Sequence, residues 1–235
     1  MAIKVSVVGA TGRMGKLALE LINAANDLEL HSSLDSKSDI SLSDGADVIF
    51  DVTRFEVSQR VVAKAIDGGQ KIVVGTSGWS ADKLAELGEL GQATVVVIPN
   101  FSVGSMLATR FAAEAGKFFD SIEIVETHHA GKLDSPSGTA VRTAELIAAN
   151  RTTPVTSPAA DQDARGQLVA GIPVHSLRLA GVSAKQDVHF GGVSELLTIS
   201  HETSSVNAYS AGILASIRFA ASAQGLHVGL DTVFK

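Results

Sequence analysis

The run Ile3–Val8 is a short apolar segment ending in Gly9-Ala10-Thr11-Gly12-Arg13-Met14-Gly15, after which helical spacing takes over through Met14, Leu17, Ala18, Leu21 and Ile22. The same alternation continues for about a hundred residues. Further strands are predicted at Leu28–Leu34, Val48–Val52, Ile72–Val74 and Thr94–Ile98, with helices at roughly Glu56–Asp67 and Ala81–Leu90. Continuous apolar strands separated by helices indicate a parallel sheet covered on both faces. Right-handed crossovers then give a doubly wound, Rossmann-like α/β fold, which places ligands at the carboxyl ends of the strands.

The glycine segment occupies that position. Read as G-x-x-G-x-x-G, it is a variant of the dinucleotide fingerprint: Gly9 permits a tight turn, Gly12 lets backbone approach a pyrophosphate, and Gly15 lets the helix lie close to the sheet. A structural turn would use the same glycines, but the position between a first strand and a first helix favours dinucleotide binding. Asp35, about 20 residues beyond Gly15, stands where an acid would receive the adenosine ribose hydroxyls, although Asp-Ser-Lys-Ser-Asp also reads as a plain turn. An acid favours NADH, while Arg13 on the glycine loop suits a 2′-phosphate, so use of both cofactors stays open. Gly75-Thr76-Ser77-Gly78-Trp79 and Ile98-Pro99-Asn100-Phe101 follow later strands on the same side and suit a nicotinamide ribose and carboxamide.

Past Asn100 the pattern changes. A helix at about Val103–Phe119 precedes a strand at Ser121–Thr127, and a helix opening near Pro136 runs to about Asn150. Residues 151–172, rich in Pro, Thr, Asp and Gly, read as a long mobile connection. Pro173–Gly181, Lys185–Phe190 and Ser194–His201 suggest an antiparallel or mixed sheet with turns at Gly181–Ser183 and Gly191–Gly192. A last helix at about Asn207–Gln224 and the tail Leu226–Leu230 would return to cover the first sheet. The expected division is a dinucleotide-binding domain of 1–102 and 212–235, and an α+β domain of 103–211 for substrate binding and oligomerisation.

The densest chemistry lies in Glu126-Thr127-His128-His129-Ala130-Gly131-Lys132-Leu133-Asp134-Ser135-Pro136-Ser137-Gly138-Thr139-Ala140. Two imidazoles titrate near neutral pH and Lys132 adds a positive charge on a flexible stem. Ser135 is a candidate N-cap and Pro136 a candidate first helical residue, which would leave Ser137, Gly138 and Thr139 presenting N–H groups to an anion. Acid–base groups beside an anion cradle indicate an acidic substrate. A solvated basic patch beside an ordinary cap is the plainer alternative.

Composition narrows the choices. The 235 residues carry 45% hydrophobic side chains, enough for one large or two modest domains. A net charge of −6 without a Lys/Arg run argues against nucleic-acid binding, and the absence of cysteine removes disulfides, thiolate metal sites and cysteine nucleophiles. A metal hydrolase built on the paired histidines is a weaker rival, because adjacent strand residues point to opposite faces and no third ligand is evident. No stretch has membrane-spanning length and the amino terminus lacks signal-peptide anatomy, so the expectation is a soluble cytoplasmic protein.

Taken together, these motifs, with Gly171-Ile172-Pro173-Val174-His175-Ser176 and Arg178, resemble the 4-hydroxy-tetrahydrodipicolinate reductases (dihydrodipicolinate reductases) over essentially the whole chain. The resemblance implies reduction of a cyclic dicarboxylate by NADH or NADPH in the diaminopimelate route to lysine, by a homotetramer associating through the second domain. It implies that His128 is the proton donor or acceptor and that Lys132 is a proton donor facing the substrate. It further implies that His129, Gly138 and Thr139 bind substrate carboxylates, with Ser137 in the same cradle. Gly9, Ala10, Thr11, Gly12, Arg13, Met14, Asp35, Gly75, Thr76, Ser77, Ile98, Pro99, Asn100 and Phe101 would line the cofactor, and no metal is required. Three positions depart from the family pattern: Phe55 stands where many relatives have proline, Val206 where relatives usually carry arginine, and Gly131 in a loop that is plainer than usual. Alternatives are another nicotinamide-dependent dehydrogenase of a small acid, or a non-catalytic NADH-binding sensor.

Overall fold

The computed structural model describes residues 2–87, 90–159 and 161–234. In chain order the strands and helices begin with β1 (Ile3–Val8), α1 (Arg13–Ala24), β2 (Leu28–Leu34), β3 (Val48–Asp51), α2 (Phe55–Asp67), β4 (Lys71–Val74), α3 (Ala81–Ala85) and β5 (Thr94–Val97). They continue with α4 (Val103–Ala115), β6 (Ser121–His129), α5 (Gly138–Ala149), β7 (Gln167–Val169), β8 (Ile172–Leu179), β9 (Ala184–Gly192), β10 (Glu195–Thr203), α6 (Ser210–Ser222) and β11 (Gly225–Val228). These elements form two compact units, Met1–Val103 with Val206–Lys235, and Gly104–Ser205.

In the first unit six strands lie in the order β11-β5-β4-β3-β1-β2. Every neighbouring pair is parallel, so this half is the Rossmann-like sheet that its apolar runs predict. Alternate residues of the strands feed two separate layers. Val8, Ile49, Ile72, Val74, Val95 and Val97 pack with Val61, Val62 and Ala65 of α2. On the other face Val7, Phe50, Val73 and Val96 are fully buried, beside α1 and α6. Burying one such side chain contributes roughly 1.5–3 kcal/mol, which is why the central strands tolerate so little polarity. Among the described strand residues of this sheet Asp51 is the one buried acid.

Three expectations for this unit need correction. The tail does not cover the sheet: β11 pairs in parallel with β5 and becomes its edge strand. Helix α3 spans only Ala81–Ala85 rather than reaching Leu90, and Gly88 and Glu89 lie outside the described residues. The last helix is preceded by a separate 3-10 turn, Val206–Tyr209, which contains the departing Val206.

The second unit has a five-stranded mixed sheet, β10-β9-β6-β8-β7. Strand β6 is central, antiparallel to β9 and parallel to β8. Helices α4 and α5 cover one face through Ala112, Ala140, Ala144 and Ile147, which pack on Ile122, Ile124, Val174, Val188 and Phe190. The opposite face of the single chain stays open and carries Leu177, Leu179 and Leu196. Helix α4 ends at Ala115, short of Phe119. The 151–172 segment is also not a plain connection. It contains a 3-10 turn at Asp163–Arg165 and strand β7, which forms a hairpin with β8. The two-residue turn is Ala170-Gly171, both with positive φ (50° and 83°). That is primed-turn geometry, in which alanine is uncommon, so the sequence concealed it.

Candidate functional site

In the first unit the carboxyl ends of the parallel strands place all the expected cofactor loops along one edge. Gly9 follows β1 with φ +89°, and a Cβ there would come 2.9 Å from the Val52 carbonyl oxygen. A Cβ on Gly15 would come 2.2 Å from the Gly9 carbonyl oxygen, so α1 can approach the turn only with glycine in its first turn. Gly12 caps α1 without a side chain and the first turn holds no acid. Ala10 is buried, Thr11 and Arg13 are exposed and Met14 is half-buried. The result is a bare helix start beside a close backbone turn, which fits a pyrophosphate.

Asp35 stands just beyond β2, fully exposed. Its Oδ1 accepts the Lys37 N–H at 2.9 Å and the Ser38 hydroxyl at 2.8 Å, and these bonds hold its carboxyl below the usual aspartate range. The loop thus presents an ionised acid. Gly75 follows β4, where a Cβ would meet the Phe101 ring at 2.5 Å. Thr76 is buried and bonded to Asp51 and Thr53, whereas Ser77 is exposed. After β5, Ile98 and Phe101 turn inward, Phe101 tilting against Phe50 at a 5.6 Å centroid distance. Pro99 is exposed and Asn100 half-buried, with the Asn100 side chain accepting the Ser102 N–H at 2.9 Å. Glycines at 9 and 15 and the acid at 35 are the features that fit a dinucleotide.

In the second unit, β6 extends to His129 and presents Glu126 and His128 on the face covered by helices, in line with Ile122 and Ile124. His129 occupies the opposite face and is exposed. The two histidines therefore do not form a pair. Glu126 is completely buried and organises the region. Its Oε2 lies 2.5 Å from His128 Nδ1 and 3.0 Å from an Arg178 guanidinium nitrogen, and its Oε1 accepts from Arg178 at 2.9 Å and from the Ser137 N–H at 3.2 Å. Burial pushes Glu126 up, but bonds from Arg178, Ser176 and His128 outweigh it and keep the carboxyl below the usual range. Burial lowers the His128 pKa despite the carboxylate beside it, with Lys132 and Arg178 adding to the effect. Since an ionised carboxylate only accepts, a neutral His128 carries its proton on Nδ1 and leaves Nε2 as an acceptor.

Arg178 also reaches the loop that follows β6, donating to the carbonyl oxygens of Asp134 at 2.6 Å and Lys132 at 3.3 Å. Lys132 Nζ donates to both carboxylate oxygens of Asp134, at 2.8 and 2.7 Å, and this contact holds the Asp134 carboxyl below the usual aspartate range. The helix start lies two residues later than expected. The cap is Ser137, whose hydroxyl accepts the Ala140 N–H at 3.3 Å, and Gly138 is the first helical residue. Both serines are competent caps, but the bond from Ser137 N–H to Glu126 fixes the choice. Ser137 is therefore buried with its N–H already used, while Gly138 is exposed at the head of α5.

The organising roles of Glu126 and Arg178 went unrecognised in the motif reading. Glu126-x-His128 is an i, i+2 pair on one strand face and was detectable. Arg178 reaches the site because β8 pairs with β6, in register with His128, and that is not a local signal. Among the described residues no three histidine or acidic side chains converge as metal ligands, and no helix is long and apolar enough to cross a membrane.

Comparison with known proteins agrees across both units. The family model for the dihydrodipicolinate reductase N-terminus matches residues 3–101, and that for the C-terminus matches residues 104–234. A 4-hydroxy-tetrahydrodipicolinate reductase of Clavibacter sepedonicus is 56% identical over 98% of this chain and 86% of its own length. One from Mycobacterium sp. (strain JLS) is 38% identical over 97% of this chain and 98% of its own. The solved structure of a dipicolinate-bound dihydrodipicolinate reductase from Paenisporosarcina sp. TG-14 superposes with a TM-score of 0.84 at 30% identity, covering 99% of both chains. The chain belongs to the dihydrodipicolinate reductase family.

Proposed function

We propose that the protein reduces 4-hydroxy-tetrahydrodipicolinate to tetrahydrodipicolinate with a nicotinamide dinucleotide, consuming a hydride and a proton and releasing water. The observation that carries this reading is the contact of the buried Glu126 with the half-buried His128, beside Lys132 and the head of α5, in a chain of this family. Gly9–Met14, Asp35, Gly75–Ser77 and Ile98–Phe101 would hold the cofactor, which supplies the hydride when bound. The chain's own residues handle protons and charge. His128 Nε2 takes up a proton and returns it, with Glu126 stabilising the imidazolium in between. Lys132 carries the second mobile proton and offsets one carboxylate of the substrate. The N–H groups at the start of α5, at Gly138 and Thr139, receive a carboxylate with the helix dipole behind them. Ser137 holds this start in place through Glu126, and His129 meets the substrate from the other strand face.

The exposed, ionised Asp35 supports a preference for NADH, and Arg13 beside the glycine turn leaves NADPH usable. The exposed Leu177, Leu179 and Leu196 on the open sheet support assembly into a homotetramer through that face, and the enzyme is read as cytoplasmic. The test is NADH consumption on addition of 4-hydroxy-tetrahydrodipicolinate, compared with a panel of small semialdehyde and hydroxy-acid substrates. Turnover only with a panel compound would overturn the assignment.

A further inference from the structure

Asp51 ends β3 at the point where strand order reverses, between β1 and β4, and its side chain is fully buried. It faces no cation. The carboxylate is met instead by hydroxyl and amide donors from three segments. Thr53 gives its hydroxyl at 2.6 Å and its N–H at 3.1 Å, Thr76 its hydroxyl at 3.2 Å, and Ser58 of α2 a short hydroxyl contact. The chain extends further, because the Trp79 indole N–H donates to Ser58 Oγ at 3.1 Å. Phe55 closes it by stacking edge-on against Trp79, with ring centroids 5.3 Å apart.

Burying a carboxylate without a counter-charge is costly, and it persists only where every lone pair is satisfied. The segments tied together are the turn after β3 and the loop 75–79. We infer that Asp51 is a positioning residue for the nicotinamide half of the cofactor, holding these two loops in a single arrangement through Thr53, Thr76 and the Ser58–Trp79 link. This rests on the reading of the first unit as the cofactor-binding unit. It also explains how Phe55 is accommodated at the start of α2: the ring covers Gly78, where a Cβ would lie 3.0 Å from it.

The chain contains one tryptophan, so Trp79 emission reports on this network alone. The experiment titrates wild type, Asp51→Asn and Ser58→Ala with NADH and with ADP, which lacks the nicotinamide riboside. An asparagine amide nitrogen cannot accept from the hydroxyls, so Asp51→Asn should bind NADH about tenfold more weakly, ~1.4 kcal/mol. ADP affinity should stay within about twofold, and Trp79 emission should shift before any ligand is added. Ser58→Ala, the gentler variant, should weaken NADH about threefold in the same selective way, and it decides the matter if Asp51→Asn does not fold. Unchanged NADH affinity, or parallel loss of NADH and ADP, would overturn the proposal in favour of a general structural role. If the wild-type chain bound neither ligand, the cofactor assignment itself would fall and the proposal with it.

Discussion

Arg178 grips both carboxylate oxygens of Glu126, at 2.9 and 3.0 Å, while Glu126 reaches His128 at 2.5 Å on the same strand. The arginine thus holds the residue that orients the imidazole, and it does so from a neighbouring strand. Its further bonds to the Lys132 and Asp134 carbonyls tie the lysine loop to the same point. One guanidinium therefore links the carboxylate that meets His128 to the loop that carries Lys132. A lysine in its place could not make the bidentate contact.

The direction of the His128 shift gives a pH prediction. Burial lowers its pKa, whereas Glu126 raises it. The free enzyme should lose kcat/KM on the acid side with a midpoint below the ordinary histidine value of about 6.5. Glu126→Gln removes the raising influence, so that limb should move to still lower pH. Because the imidazolium loses its partner, kcat should also fall about a hundredfold. Steady-state pH profiles of both proteins check this, and a limb moving toward neutrality would contradict the proposed contact. Arg178, left half-buried beside a neutral amide, should also cost the variant stability, on the order of 1–2 kcal/mol.

Gly138 allows the anion cradle to be tested without disturbing the fold. A Cβ built there meets nothing within 4 Å, and its φ is not positive. Alanine is the better helix former by about 1 kcal/mol in a helix interior, so Gly138→Ala should melt no earlier than wild type. The same methyl group would stand where a substrate carboxylate approaches. The KM for the dicarboxylate should rise about tenfold, ~1.4 kcal/mol, with the KM for NADH unchanged. A thermal melt and two substrate titrations decide it. If neither KM moves, α5 does not receive the substrate.

Legibility in the sequence followed the range of the physics involved. The parallel sheet could be read from Val48–Asp51 and Thr94–Val97 because continuous burial leaves continuous apolar runs. The glycine turn could be read because Gly9 and Gly15 answer local steric demands. What stayed hidden depends on pairing. β11 is a four-residue strand whose place at the sheet edge depends on β5, and β7 closes on a turn with alanine in a conformation suited to glycine. The helix start lies two residues later than the local pattern suggests because the buried Glu126 of β6 accepts the Ser137 N–H. In the site, His128 and Lys132 were legible as chemistry and Glu126 as the i, i+2 neighbour of His128, whereas Arg178 acquires its role only through strand register.

The open face of the second sheet yields a prediction about assembly. Leu177 is 45% exposed and Leu179 49% exposed in the single chain. Burying one leucine contributes roughly 1.5–3 kcal/mol, and a symmetric assembly repeats that gain in every copy. Leu177→Glu should leave the chain folded but shift it to monomer or dimer in sedimentation velocity at micromolar concentration. A variant that sediments as wild type would remove this face from the interface.

Asp35 gives the sharpest test of cofactor choice. Its carboxylate is held ionised by the Lys37 N–H and the Ser38 hydroxyl, and it accepts hydrogen bonds but donates none. It therefore suits a ribose 2′-hydroxyl and repels a 2′-phosphate. In Asp35→Asn the charge is gone, and Arg13, exposed on the glycine turn, can meet the phosphate unopposed. The ratio of kcat/KM for NADPH to that for NADH should rise about tenfold, ~1.4 kcal/mol of discrimination. Most of the change should appear as lost NADH affinity rather than altered kcat, because the adenosine ribose is remote from the reacting ring. Parallel assays with the two cofactors measure the ratio directly, and an unchanged ratio would mean that Asp35 serves only as a turn residue.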